Sequence, residues 1–386
     1  MRKVYFDYNA TTPIHPEVAS FVKPFFNELF GNPSSLHWAG RAARVDFEKA
    51  REQIADMIHA KTEEIVITSC GTESDNHAIK GVAHAKRDKG NHIITTTIEH
   101  PGVLNTCRYL ESKGYEVTYL PVDGYGQIQP EDVKRAIRKD TILISIMYAN
   151  NETGTLLPIK EVGEIAKDSD IIFHSDMVQA IGKIKIDVKS LNVDLASFSG
   201  HKVYAPKGVG ALYMRESLDI DNLIHGGHQE AGRRAGTENV IGITAFGKAC
   251  ELVKKEMEDE NSKIESLRKK LLDGILEKVG HVRLNGHPEH RLPNTLNLSF
   301  EYVEAESLLI ALDLNGIAVS SGSACASGST EPSHVLLAMG IPPEACQSAI
   351  RFSLGRGNTE EDVDYTLSVI PDIVNRLREM SPFYKR

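Results

Sequence analysis

Cysteine is scarce in this chain: 386 residues hold five, Cys70, Cys107, Cys250, Cys325 and Cys346, with no C-x-x-C pair among them. An odd count at wide spacing excludes a disulfide framework and suggests no zinc site. No apolar run is long enough to span a bilayer, since "ILISIM" and "SLLIALDL" have the length of core segments. The opening "MRKVYFDYNATTP" turns polar within a few residues and lacks the apolar stretch of a signal peptide. A cytoplasmic, reducing location is therefore expected, with no membrane contact. Positive charge is also short. Lys and Arg total 44 against 53 Asp and Glu, a formal net charge of −9, which argues against a general basic surface for nucleic acid. No G-x-G-x-x-G follows the first strand pattern and no P-loop occurs, so dinucleotide and nucleotide-triphosphate sites lack their fingerprints.

What remains is ordinary globular material, 41% hydrophobic and 25% charged, and long enough for two domains. From about Glu64 to Met214, short apolar runs alternate with amphipathic stretches. "EIVIT", "HIITTT", "EVTYLPV", "ILISIM", "IIFHS", "DLASFS" and "VGALYM" read as strands. "PGVLNTCRYLESKG" and "LPIKEVGEIAKD" read as helices between them. Such alternation predicts an α/β fold whose large domain has a mostly parallel sheet covered by helices on both faces. A charged periodic stretch from about Asn239 to Val279 predicts a connecting helix, broken or bent near Asn261. Beyond it, strands at "TLNLSF" and "AIRFSL" and helices at "AESLLIALDLNG" and "TEEDVDYTLSVIPDIVNRLREM" predict a smaller α+β C-terminal domain. The expected division is residues 13–260 for the large, cofactor-binding domain, and 1–12 with 261–386 for the small one.

Ligands in sheets of this kind bind beyond the carboxyl ends of the strands, and polar clusters fall there. "EIVIT" is followed by Ser69-Cys70-Gly71-Thr72-Glu73 and then helical residues, a pattern that makes an anion cradle from free N–H groups and the helix dipole. The other strand ends carry Glu99-His100-Pro101, Asn150-Asn151-Glu152, Asp176 with Gln179 behind it, and Ser199-Gly200-His201-Lys202. Each alone reads as a cap or a satisfied structural residue. Together they offer an anion cup, a ring to stack, a carboxylate and a lysine at one edge. Pyridoxal 5'-phosphate needs that set: a lysine for its aldehyde, an acid opposite the pyridine nitrogen and a cup for the phosphate.

The chain resembles the cysteine desulfurases of the NifS/IscS type, within the aminotransferase-like, fold type I pyridoxal-phosphate enzymes. The stretches that carry the resemblance include "YFDYNATTP", "GNPSSLH", "TSCGTESDN", "TIEHPGVL", "ANNETGT", "DMVQAIGKI", "DLASFSGHKVYAPKGVGALY", "GRRAGTENV", "SSGSACASGS", "EPSHVLLAMG" and "IRFSLGR". They run from the N-terminus to beyond Arg356. The resemblance implies that Lys202 holds the cofactor, that His100 stacks on its ring and shuttles protons, and that Asp176 pairs with the pyridine nitrogen. It further implies Gln179 at the ring hydroxyl, and Gly71, Thr72, Ser199 and His201 at the phosphate, with Thr237 reaching the phosphate from the other subunit of a homodimer. Asn151 and Arg351 would position the substrate L-cysteine, Arg351 by gripping its carboxylate. No metal is implied.

"AVSSGSACASGST" places Cys325 in a run with little apolar bulk. The resemblance gives that thiol a purpose: as thiolate it takes sulfur from cysteine as a persulfide, leaving alanine, and hands it to an acceptor protein. An iron–sulfur scaffold is the expected acceptor, with nitrogenase assembly and tRNA thiolation still open. A free thiol titrates near roughly pH 8.5, so some activation is required. Three other readings compete. A selenocysteine lyase would also carry a loop cysteine, a non-catalytic sulfur-trafficking protein would not need Lys202, and an ordinary aminotransferase would not need Cys325. Two departures stand out: His228 in "HGGHQE" where the family commonly has glycine, and Cys70 in "TSCGTE" where glycine is frequent. Lys207, five residues after Lys202, is the rival attachment point.

Overall fold

Seven strands form the larger sheet of the computed structural model, which describes residues 2–321, 332–382 and 384. In spatial order they are Ile65–Thr68, Gly210–Met214, Leu195–Ser199, Ile172–Asp176, Thr141–Ser145, His92–Thr96 and Glu116–Leu120. Gly210–Met214 runs antiparallel to both its neighbours, and every other pairing is parallel. The pleat sends alternate residues to opposite faces. Ile65, Ile67, Ile94, Ile144, Phe173 and Phe198 join one apolar cluster, while Val66, Ile93, Leu143, Leu195 and Leu212 join another. A sheet buried on both faces reads as continuous apolar runs, which is why six of the seven strands stand out in the sequence; the edge strand Glu116–Leu120 is only partly buried.

Helices Gly71–Ala85, Pro101–Glu111, Pro130–Ala136 and Ile159–Asp168 fill the crossovers. The sequence reading placed no element before Glu64, yet a 20-residue helix, Trp38–Met57, lies there. Its N-cap is His37, whose Nδ1 accepts from the Gly40 N–H at 3.3 Å. That residue is not among the usual Ser, Thr, Asp or Asn signals.

The second sheet is antiparallel throughout, in the order Ser320–Ser321, Ala349–Ser353, Thr295–Phe300, Val282–Asn285. Helices Ala305–Leu314 and Glu360–Met380 cover it, with Leu308, Leu312, Val363, Leu367 and Ile370 in its core. Val4–Tyr5 pairs in parallel with Ile317–Ala318, and Val4 and Phe6 enter the same core.

The connecting helix corrects one expectation. Val240–Lys278 is a single helix of 39 residues, not two segments meeting near Asn261. Asn261 aims its amide outward, donating to the Lys183 carbonyl at 2.9 Å, so it does not compete with its own helix for backbone bonds. Burial on both sides of Asn261 supports the continuity. Ile243, Phe246 and Val253 enter the core of the larger sheet, and Ile264, Leu267, Leu271 and Ile275 that of the smaller.

Candidate active site

The carboxyl ends of the central strands meet around a cavity of about 380 Å³. Its wall is assembled from the strand-end clusters. Cys70, Gly71 and Thr72 open one helix, His100 caps another, Asn151 follows Thr141–Ser145, Asp176 ends its strand, and Ser199, His201 and Lys202 follow the next. Gln179 and Arg351 lie within the same wall.

At the cup, Cys70 is the N-cap of Gly71–Ala85 but makes no side-chain cap bond, so it leaves the first N–H groups of that helix without a side-chain acceptor. A Cβ on Gly71 would come within 2.6 Å of Val178 Cγ2, so the close approach of backbone here requires glycine. The hydroxyl of Ser199 is buried with no hydrogen-bond partner among the described residues. A buried polar atom left so is costly, and an anion at the helix end would satisfy it. His201 is held by Thr11 at 3.2 Å, and burial with the nearby Lys202 pushes it down to about 4, leaving a neutral ring. This donor set fits a phosphate.

Across the cavity, Asp176 accepts from the Val178 N–H at 2.9 Å. Asp75, which the sequence reading did not single out, lies beside it; one ligand atom from each of Asp75, His100 and Asp176 falls within 4.8 Å of the others. Burial and the Asp176 charge drive Asp75 well above the carboxylate range. Asp75 therefore keeps its proton, while burial raises Asp176 as well, opposed by His100, the Val178 N–H and Lys202. A carboxylate there suits a protonated pyridine nitrogen. His100 Nδ1 accepts from the Gly102 N–H at 3.0 Å, which puts the proton of the neutral ring on Nε2. Burial lowers the ring below the usual histidine range.

Lys202 extends its ammonium to the carbonyl oxygens of Asn9 and Ala10, the latter at 3.0 Å. Lys207 is exposed, precedes the turn at Gly208 and does not line the cavity. Arg351 is 2% exposed and bonds Asp7 Oδ1 at 2.8 Å and the Asn151 carbonyl at 3.1 Å, while its Nε has no partner among the described residues.

One predicted residue lies elsewhere. Thr237 is exposed and lines a separate cavity of about 110 Å³ with Ser69, Glu230 and Arg234. Cys325 lies outside the described residues. His228 is exposed with φ −89°, a conformation that needs no glycine. The sequence reading missed Asn9 and Asp7, which come from the N-terminal segment, and Lys183. Asp75 had a signal: it stands four residues after Gly71, one turn along the same helix face.

A family model for class-V aminotransferases matches residues 4–366, and the chain belongs to that family. Within it the chain is of the NifS/IscS type, cysteine desulfurase-like. It is 56% identical to "Cysteine desulfurase IscS" of Methanosarcina thermophila over 381 residues, covering 99% of this chain and 94% of the relative. The enzyme of the same name from Clostridium botulinum strain Hall is 53% identical, with 100% and 97% covered. Among solved structures, a "NifS-like protein" superposes with a TM-score of 0.92 at 42% identity, covering 97% of this chain and all of that one. "SspA in complex with cysteine" gives a TM-score of 0.82 at 39% identity, covering 92% of this chain and all of that one.

Proposed function

We propose that this protein is a pyridoxal-phosphate-dependent cysteine desulfurase that converts L-cysteine to L-alanine and holds the sulfur as a persulfide on Cys325. The observation that carries the reading is one cavity lined by Lys202, Asp176, His100 and Arg351, with an uncapped helix end and the Ser199 hydroxyl at its cup. The named relatives support it.

When bound, pyridoxal phosphate supplies an aldehyde and an electron-poor ring able to stabilise negative charge at the substrate Cα. Lys202 is its attachment point, and Asp176 holds a proton on the pyridine nitrogen. Gly71, Thr72, Ser199 and His201 grip the phosphate, and Gln179 meets the ring hydroxyl. Arg351 binds the substrate carboxylate, exchanging it for the Asp7 carboxylate that now occupies the guanidinium. Asn151 orients the substrate beside it. His100 would stack on the ring and carries its exchangeable proton on Nε2. The Cys325 thiolate forms an S–S bond to the substrate sulfur as the Cβ–S bond breaks. That bond's electron pair stays with the three-carbon fragment, which takes up a proton and leaves as alanine. Net, cysteine plus an enzyme thiol give alanine plus an enzyme persulfide, with no external oxidant. An acceptor protein, an iron–sulfur scaffold by preference, then receives the sulfur in the cytoplasm.

Thr237 is exposed and does not line its own chain's cavity, which supports a homodimer in which it completes the partner's phosphate site. Lys202→Ala should remove the visible absorption of the loaded protein, and borohydride reduction of wild type should label Lys202 rather than Lys207. Mixing Lys202→Ala with Thr237→Ala chains places both lesions in one site of each heterodimer. Activity should then rise toward roughly a quarter of wild type if pairing is random. No rescue with subunit exchange confirmed rules out the shared site, and label on Lys207 rules out the attachment point.

A further inference from the structure

Gln179 lines the cavity, but its orientation is set from behind. The chain turns after Asp176 through Gly182, whose φ of +74° is the left-handed region that glycine tolerates. That reversal brings Lys183 back onto Gln179: its Nζ donates to the Gln179 carbonyl at 3.0 Å and to Oε1 at 3.1 Å. The other end of the same amide, Nε2, donates to the Asn9 carbonyl at 3.0 Å. That carbonyl also accepts from the Lys202 ammonium.

An ammonium can only donate and a backbone carbonyl can only accept. Both contacts therefore dictate one orientation, with oxygen toward Lys183 and nitrogen toward the Asn9 and Lys202 side. A side-chain amide has two nearly isosteric orientations, and Lys183 acts with the Asn9 carbonyl to remove the choice. Among the described residues no carboxylate pairs with it. The cavity behind it holds Tyr8, Tyr204 and Glu260, and Glu260 is engaged by Arg356 at 3.4 Å. Burial of the ammonium, together with Lys202 and Arg351, pushes Lys183 down to about 7, a further cost of keeping it there.

We propose that Lys183 is a positioning residue: it locks the Gln179 amide so that an N–H donor faces the cavity, and the site accordingly accepts a ring oxygen in its acceptor, anionic form. This rests on the reading of the cavity as a pyridoxal-phosphate site attached at Lys202. A fixed donor at the ring oxygen would favour loss of the proton shared by that oxygen and the Lys202 nitrogen.

The test is a pH titration of the visible band of the loaded protein, with cofactor retention measured on the same samples. Lys183→Met keeps the length of the side chain and removes its donor. It should raise the midpoint by about one unit and weaken cofactor retention by about tenfold. Lys183→Arg, which restores a donor, should return the midpoint toward wild type. In a Gln179→Leu background, Lys183→Met should change the midpoint little, because its effect passes through the amide. A midpoint unmoved by Lys183→Met, or a shift of full size persisting without Gln179, overturns the proposal. Failure of the underlying reading looks different: wild type itself would show no band, or its reduced label would sit on another lysine.

Discussion

Glu99, next to His100, is fully enclosed, and its Oε1 accepts from the Thr96 hydroxyl at 2.7 Å and the Met147 N–H at 3.0 Å. Burial outweighs those bonds and pushes it up to about 8. In the unfolded chain a glutamate titrates near roughly 4.3. Between those values the folded protein holds a proton that the unfolded chain has released. The stability Glu99 contributes is thus complete below the unfolded value and is lost as pH rises through about 8. Glu99→Gln, neutral at every pH, removes that slope. Unfolding free energies measured from pH 5 to pH 8 should fall for wild type relative to the variant, by roughly 3–4 kcal/mol across the range. Parallel curves would mean that Glu99 is ionised in the fold.

Among the elements, the crossing of Trp38–Met57 on Val240–Lys278 depends on one residue. A Cβ on Gly247 would lie 2.4 Å from the Ala50 Cα and 2.8 Å from its carbonyl oxygen. Backbone cannot yield as a flexible side chain does. Gly247→Ala gains about 1 kcal/mol of helix propensity but forces the helices apart, and overpacking costs about 1–3 kcal/mol. The expected result is a net loss of stability and a lower melting temperature, with cofactor binding per folded molecule unchanged. A variant as stable as wild type would place the contact wrongly. This crossing was illegible in the sequence, because Gly247 in "AFGKAC" carries no sign of what approaches it and the opposing helix lacks a common cap. Strands such as "IIFHS" and "VGALYM" were legible because burial on both faces leaves long apolar runs between turn residues. The break or bend expected near Asn261 is not a break: the helix runs through, and the Asn261 amide bonds the Lys183 carbonyl.

On the scale of the whole molecule, the cavity is built from pieces far apart in the chain: Asn9 at one end, Gly71 through Lys202 in the middle and Arg351 near the other. The strand-end residues were readable because each is a charged or hydroxyl group standing where an apolar run stops. Asn9 and Ala10 were not, since they act through backbone carbonyls, and no side-chain type announces that role. Lys183 was hidden for a related reason: lysine after glycine in "QAIGKI" reads as a solvated surface charge. In the proposed function desulfuration turns on Cys325, and one measurement addresses that directly. Loaded protein is mixed with one equivalent of sulfur-labelled cysteine without reductant, then quenched for alanine assay and peptide mapping. Alanine equimolar with the protein-bound sulfur, all of it on the Cys325 peptide and absent from Cys325→Ser, is the predicted result. Sulfur on Cys70 or another cysteine, or alanine formed with no protein-bound sulfur, would contradict it.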